Sequence, residues 1–197
     1  MPGSIPGLII SNVSFPKILE EEISSNKESP ALMIPYLYES IKRLEDAGID
    51  FIVLPCNTLH SILPELRERS SKKFVDLIEV VSDKVKKLGI KKVGILGTTK
   101  TRSEKLYDTA LGEVETLYPS HIEQERLSGI IIKIIRCEST KADKKFIDNL
   151  VNGLLRRGAE KVILACTDLA NIAGENECII DSTETLIDFI KKEMNKD

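Results

Sequence analysis

One internal repeat constrains the fold more than any other feature of this 197-residue chain. The segment Gly48-Ile-Asp-Phe-Ile-Val-Leu-Pro-Cys56 aligns with Gly158-Ala-Glu-Lys-Val-Ile-Leu-Ala-Cys166, at an offset of 110 residues. Each reads as a helix stop at glycine, a strand apolar on both faces, and a cysteine. The polar residues that follow match in kind, Asn57-Thr58 and Thr167-Asp168, and a second echo lies downstream, where Phe74-Val-Asp76-x-x-Glu79 resembles Ile179-Ile-Asp181-x-x-Glu184. Units repeated at a fixed offset predict two similar lobes related by a pseudo-two-fold axis.

The rest of the chain alternates short apolar runs with amphipathic stretches. Strands are expected at 8–10, 51–54, 74–78, 93–96, 114–117, 162–165 and 178–180. Helices are expected at 30–47, 61–69, 80–88, 101–110, 141–157 and 184–195. Residues 124–136 read as helical too, although the β-branched run 130–135 also suits a strand. Alternating β and α with continuously apolar strands specifies an α/β fold with parallel sheets. Residues 1–90 plus 184–197 are expected to form the first lobe and 91–183 the second. Nothing ahead of Leu8 matches Val93-Gly-Ile-Leu-Gly-Thr-Thr99, so the first lobe lacks the opening strand of the second. A sheet short of one strand leaves an unpaired edge, and a homodimer that covers it is the expected assembly.

Composition narrows the function classes. With 28 Lys+Arg against 31 Asp+Glu the net charge is −3, and aromatic residues make up 5% of the chain, which argues against a nucleic-acid surface. No apolar run approaches the roughly 18–20 residues that span a bilayer, and residues 1–10 lack the positive start of a signal peptide. The chain therefore reads as cytoplasmic, with no membrane or nucleic-acid partner. The four cysteines, at 56, 137, 166 and 178, form no C-x-x-C pair, so neither a disulfide framework nor a structural metal site is expected. Cys137 and Cys178 have no partner in the repeat and read as structural. His60 reads as a supporting rather than a catalytic histidine.

Cys56 and Cys166 differ from the other two. Ligands of open parallel sheets bind beyond the carboxyl ends of the strands, where both of these cysteines fall. Across a cleft between facing lobes, two thiols are suited to stereoinversion: one thiolate removes an α-proton and the opposite thiol delivers a proton to the other face. Asn57, Thr58 and Thr167 either hold a carboxylate beside the main-chain amides or cap the turns that follow. Gly94-Ile-Leu-Gly97-Thr-Thr-Lys-Thr101 lacks nucleotide-binding spacings. The hydroxyls of Thr98, Thr99 and Thr101 suit a carboxylate, or a helix cap equally well.

These motifs resemble the aspartate/glutamate racemase family, in particular its aspartate racemase branch. The resemblance rests on Pro55-Cys56-Asn57-Thr58-x-His60, on Gly94-Ile-Leu-Gly97-Thr98-Thr99-x-Thr101, and on Ala165-Cys166-Thr167-Asp168. It implies two flavodoxin-like lobes and no pyridoxal cofactor. It also implies Cys56 and Cys166 as the acid/base pair, and Asn57, Thr58 and Thr167 as contacts to the amino acid. Lys141 matches a basic residue that meets a side-chain carboxylate. The implied substrate is a small dicarboxylic amino acid, aspartate foremost. The chain departs from the family pattern at the missing Gly-Gly-Met-Gly-type loop, at Ala165 and Asp168 where Gly and Glu are usual, and at an arginine after the first strand, near which only Lys17 stands. Those departures keep open a second class, a non-catalytic relative that binds a small carboxylate or a partner protein.

Overall fold

The computed structural model describes residues 7–174 and 176–194. Among the described residues, six strands form two parallel sheets. In the first, β1 (Phe51–Val53) pairs with β2 (Lys73–Val75). In the second, β3 (Lys92–Gly97), β4 (Glu115–Leu117), β5 (Lys161–Ala165) and β6 (Ile179–Asp181) lie in the order β4-β3-β5-β6. The longest ladder joins the two central strands, from Val93 opposite Lys161 to Gly97 opposite Ala165. Buried strands covered on both faces account for the continuous apolar runs in the sequence.

The helices in chain order are α1 (Lys17–Ser24), α2 (Ile34–Asp46), α3 (Leu63–Glu68), α4 (Leu77–Lys87), α5 (Thr99–Ser103), α6 (Leu106–Leu111), α7 (His121–Ile135), α8 (Lys141–Arg156) and α9 (Ser182–Met194). Their ends follow local chemistry. Thr140 and Asp143 form a reciprocal capping box at the head of α8. Gly48 and Gly158, the glycines of the repeat, take φ of +77° and +97° after α2 and α8, where a side chain would be strained. The ambiguous 124–136 run is helical, since Ser120 and Glu123 supply a capping box and Leu127, Ile130 and Ile131 fall on one buried face. The single helix expected at 101–110 is two, because Lys105 adopts a left-handed conformation between α5 and α6.

Three apolar clusters hold these layers together. On one face of the second sheet, Val93, Ile95, Ile163 and Ala165 pack against α4, α6 and α9, including Val81, Val85, Tyr107 and Leu186. On the other, Leu96, Val162, Leu164 and Cys166 pack against Leu127 and Ile131 of α7 and Ile147 and Leu150 of α8. Alternate residues of β5 thus serve opposite faces. The third cluster lies around the first sheet, with Ile23, Leu37, Ile41, Ile52, Leu63 and Phe74, and Cys56 packs against it. The expected lobe boundaries assign α4 and α9 to the first lobe, and both helices bury apolar side chains against the second sheet.

The expected strand at 8–10 is not formed. Leu8 and Ile10 are 77% and 80% exposed, and the segment has no ladder partner. Three apolar residues in a row suit a strand only where a neighbouring strand completes the hydrogen bonds, and among the described residues β1 pairs with β2 alone.

Candidate active site

The two cysteines of the repeat come off the carboxyl ends of β1 and β5. After Val53 the chain turns through Pro55, with the Cys56 amide donating to the Leu54 carbonyl (2.8 Å), and enters a 3-10 turn, Thr58–Ile62. Cys166 directly follows β5 and leads into a second 3-10 turn, Thr167–Asn171. Cys56 is half-buried and Cys166 buried, and neither is disulfide-bonded. Burial pushes both thiols above their ordinary range. At Cys166 the Asp168 carboxylate adds to the shift, and the Cys56 sulfur adds a further part. At Cys56 main-chain amides of Leu59 and Thr58 oppose the shift, while Asp168 and Glu20 reinforce it. The same carboxylate, Asp168, thus acts on both thiols. The Cys166 thiol points to Asp168 Oδ2 at 3.8 Å.

Glu20 completes this acidic border from α1. Its carboxyl is itself held above the usual range, first by burial and then by Asp168 and Glu21. The neighbouring Glu21 pairs with Arg136 at the end of α7, through guanidinium bonds of 2.6 and 2.5 Å, which ties α1 to the second lobe.

Beside the thiols three hydroxyls meet. Thr58 Oγ1 lies 2.9 Å from Thr98 Oγ1, which lies 3.0 Å from Thr101 Oγ1, and all three residues are buried. Thr98 also caps α5 by accepting from the Thr101 amide. Residues 40 apart in sequence thus bring hydroxyls from both lobes to one point. Just before Thr98, β3 packs tightly on β5 at Gly97, where an added Cβ would stand 2.8 Å from the Ala165 carbonyl oxygen.

The other expected site residues are placed differently. Asn57 is buried with its amide engaged at both ends: Tyr107 donates its hydroxyl to Oδ1 (2.6 Å), and Nδ2 donates to Ser182 Oγ (3.1 Å). Ser182 in turn donates to the Leu164 carbonyl (2.7 Å). A buried one-way chain of hydrogen bonds therefore runs from α6 through the turn of one cysteine to the strand of the other. Thr99 bonds Ser128 on α7 (2.6 Å). Thr167 is half-buried at the start of its turn, and Lys141 is exposed in the first turn of α8.

His60 is buried, with Nδ1 2.8 Å from the Cys56 carbonyl oxygen and Nε2 accepting from the Leu77 amide at 2.9 Å. Among the described residues no group of three or more His, Cys, Asp or Glu side chains is arranged to hold a metal ion. Sequence reasoning assigned no role to Glu20, Tyr107, Asp168 or Ser182. Asp168 was within reach as the acidic residue two beyond a motif cysteine. The others reach the site only through tertiary packing.

A parallel α/β scaffold with paired thiols at the carboxyl ends of two strands defines a class, the two-lobed proteins that handle a small molecule between their sheets. The family model for Asp/Glu/Hydantoin racemase matches residues 1–190, and the chain belongs to that family. It is 26% identical over 188 residues to the broad specificity amino-acid racemase RacX of Bacillus subtilis (strain 168), covering 92% of this chain and 78% of the relative. Among solved structures, an aspartate racemase homologue from Pyrococcus horikoshii OT3 superposes with a TM-score of 0.76 at 26% identity, covering 100% of this chain and 87% of that one. The aspartate racemase of Picrophilus torridus gives 0.73 at 28% identity, covering 92% and 76%. As in those neighbours, the fold is two-lobed α/β with parallel sheets.

Proposed function

We propose that the chain is an amino-acid racemase that needs no pyridoxal phosphate and inverts the α-carbon with Cys56 and Cys166. The observation that carries this reading is the placement of two repeat-related cysteines at the carboxyl ends of β1 and β5, Cys166 buried, Cys56 half-buried and neither disulfide-bonded. One thiolate takes the α-proton, leaving a carbanion whose charge spreads into the carboxylate. The opposite thiol donates its proton to the other face. The enzyme then holds its thiolate on the second sulfur, ready for the reverse reaction. Thr58, Thr98 and Thr101, with Thr167, offer hydroxyls to the α-carboxylate, and Thr99 extends that wall. Asn57 acts through the turn that it fixes.

Aspartate is the substrate that the family resemblance carries, with Lys141 as the cation for the second carboxylate. One observation favours a wider range. The carboxylate of Asp168 acts on both thiols and that of Glu20 on Cys56, and such charges repel a dicarboxylate and accept a neutral or cationic side chain. The exposed segment 8–10 and the single partner of β1 support a homodimer, which light scattering tests. Among the described residues no helix is long and apolar enough to cross a membrane.

Proton NMR in D2O supplies the functional test. Each enantiomer of aspartate, glutamate, alanine and lysine is incubated with the protein, and loss of the α-proton signal is followed together with chirality. The expected result is exchange with inversion for at least one amino acid, and loss of inversion in both Cys56→Ser and Cys166→Ser, because a serine hydroxyl is too weak an acid at neutral pH. Inversion by either serine variant at the wild-type rate rejects the two-thiol assignment.

A further inference from the structure

We infer that His60 is a positioning residue for the Cys56 half of the reaction, a neutral imidazole that ties the Cys56 carbonyl to the first amide of α4. The inference rests on the two-thiol reading above. A carbonyl oxygen only accepts, so the nitrogen 2.8 Å from Cys56 O, Nδ1, carries the proton. The Leu77 amide only donates, so Nε2 at 2.9 Å presents its lone pair. Both ring nitrogens are committed, the tautomer follows from the partners, and a second proton would set a donor against a donor.

The two bonds connect different parts of the molecule. Asp76 Oδ1 takes the amides of Ile78 and Glu79, and His60 takes that of Leu77, so together they satisfy the first three amides of α4. From there α4 packs through Val81 and Val85 into the same cluster as Ile163 and Ala165 of β5. The Cys56 turn is thus referenced, through one imidazole, to the helix that rests on the Cys166 strand. The charged groups acting on the ring are Asp76, whose Oδ1 lies 3.9 Å from Nε2, and Arg67, which pairs with Asp76 at 3.2 Å. Burial, with Arg67 acting the same way, outweighs the bond to the Cys56 carbonyl and the Asp76 carboxylate and holds the imidazole below its ordinary pKa, which agrees with a neutral ring. With no free nitrogen, His60 does not itself exchange protons with a substrate.

The test separates the two bonds. Nitrogen-15 NMR of the wild-type protein should show His60 as the Nδ1–H tautomer near neutral pH, and an Nε2–H or doubly protonated ring overturns the inference. In His60→Asn the side-chain NH2 falls near the Nδ1 position and keeps the bond to Cys56. In His60→Gln the longer side chain places its oxygen near Nε2 and keeps the bond to Leu77. His60→Asn should lose stability yet hold kcat within a few-fold. His60→Gln should lose no more stability than His60→Asn while kcat falls by about 10–100-fold at nearly constant KM, as for a displaced reacting group. Equal kcat in the two variants rejects the assignment. If the wild-type protein inverts no amino acid, the racemase reading fails by itself, and the tether is then read from alkylation of the Cys56 thiol. That rate should rise at least severalfold in His60→Gln and stay unchanged in His60→Asn, and equal rates reject the tether.

Discussion

Replacing Tyr107 by Phe removes one oxygen and leaves the ring in place. The hydroxyl donates to Asn57 Oδ1 at 2.6 Å, and both residues are buried. Burial pushes the phenol above its ordinary range, so it serves as a donor at every working pH. Without it the amide oxygen of Asn57 stays buried and lacks that donor, a defect that costs about 1–3 kcal/mol. The apolar packing of the ring is unchanged, so no cavity term is added. For a chain of this size about 2 kcal/mol corresponds to a fall of roughly 4–8 °C in melting temperature. Ser182→Ala breaks the next two links, to Asn57 Nδ2 and to the Leu164 carbonyl. If the chain acts as one unit, the double variant loses less than the sum of the single losses, by at least about 0.5 kcal/mol. Calorimetry or urea unfolding of the four proteins measures this. A melting temperature within 1 °C of wild type for Tyr107→Phe, or strictly additive losses, refutes the argument that this chain fastens the two cysteine-bearing segments.

Three further outcomes follow from the site. Because burial and Asp168 hold both thiols above their ordinary range, the thiol–thiolate form is scarce at neutral pH, and kcat/KM should climb from pH 7 to 9; an acid limb with its midpoint below pH 7 contradicts this. Gly97→Ala sets a Cβ 2.8 Å from the Ala165 carbonyl and should cost about 1–3 kcal/mol in urea unfolding, with a loss of kcat as the Cys166 strand is displaced; wild-type stability and rate rule out this close contact. His60 has a folded pKa below the unfolded value of 6.5, so the unfolded chain binds the proton more readily and stability falls as pH drops below 6.5 toward the folded pKa. His60→Gln should therefore unfold with a weaker pH dependence in that window than wild type, and an unchanged dependence rejects the linkage.

Much of this fold is written locally. The strands of the second sheet are apolar on both faces, and α8 carries a capping box at one end and Gly158 at the other, so neither depends on distant sequence for recognition. The repeat located both cysteines at strand ends. The misreadings arise where tertiary context decides. Residues 8–10 have strand composition and no neighbour with which to form a ladder. Residues 101–110 carry one continuous helical pattern, yet Lys105 breaks it in a left-handed conformation that no glycine announces. Helix α1 was not expected at all, because its apolar face is short and has meaning only against the clusters it meets. The same helix carries Glu20, so the acidic border of the site was illegible with it. From its place beside Cys56, Asn57 reads either as a contact to a carboxylate or as a cap. Its partners Tyr107 and Ser182 stand 50 and 125 residues away, beyond the reach of any local pattern.

The repeat makes the two cysteines look equivalent, and the sheets make them mechanically unequal. Cys166 ends a central strand with a ladder on each side, whereas Cys56 follows a three-residue strand with a ladder on one side among the described residues. Local opening spreads from segments with few hydrogen-bonded neighbours, so one wall of the cleft is stiff and the other compliant. Thermal variation in the distance between the two sulfurs is therefore expected to come mainly from the Cys56 side. On the proposed two-thiol reading, a substrate of different bulk should be accommodated mainly on the Cys56 side, with Cys166 keeping its position.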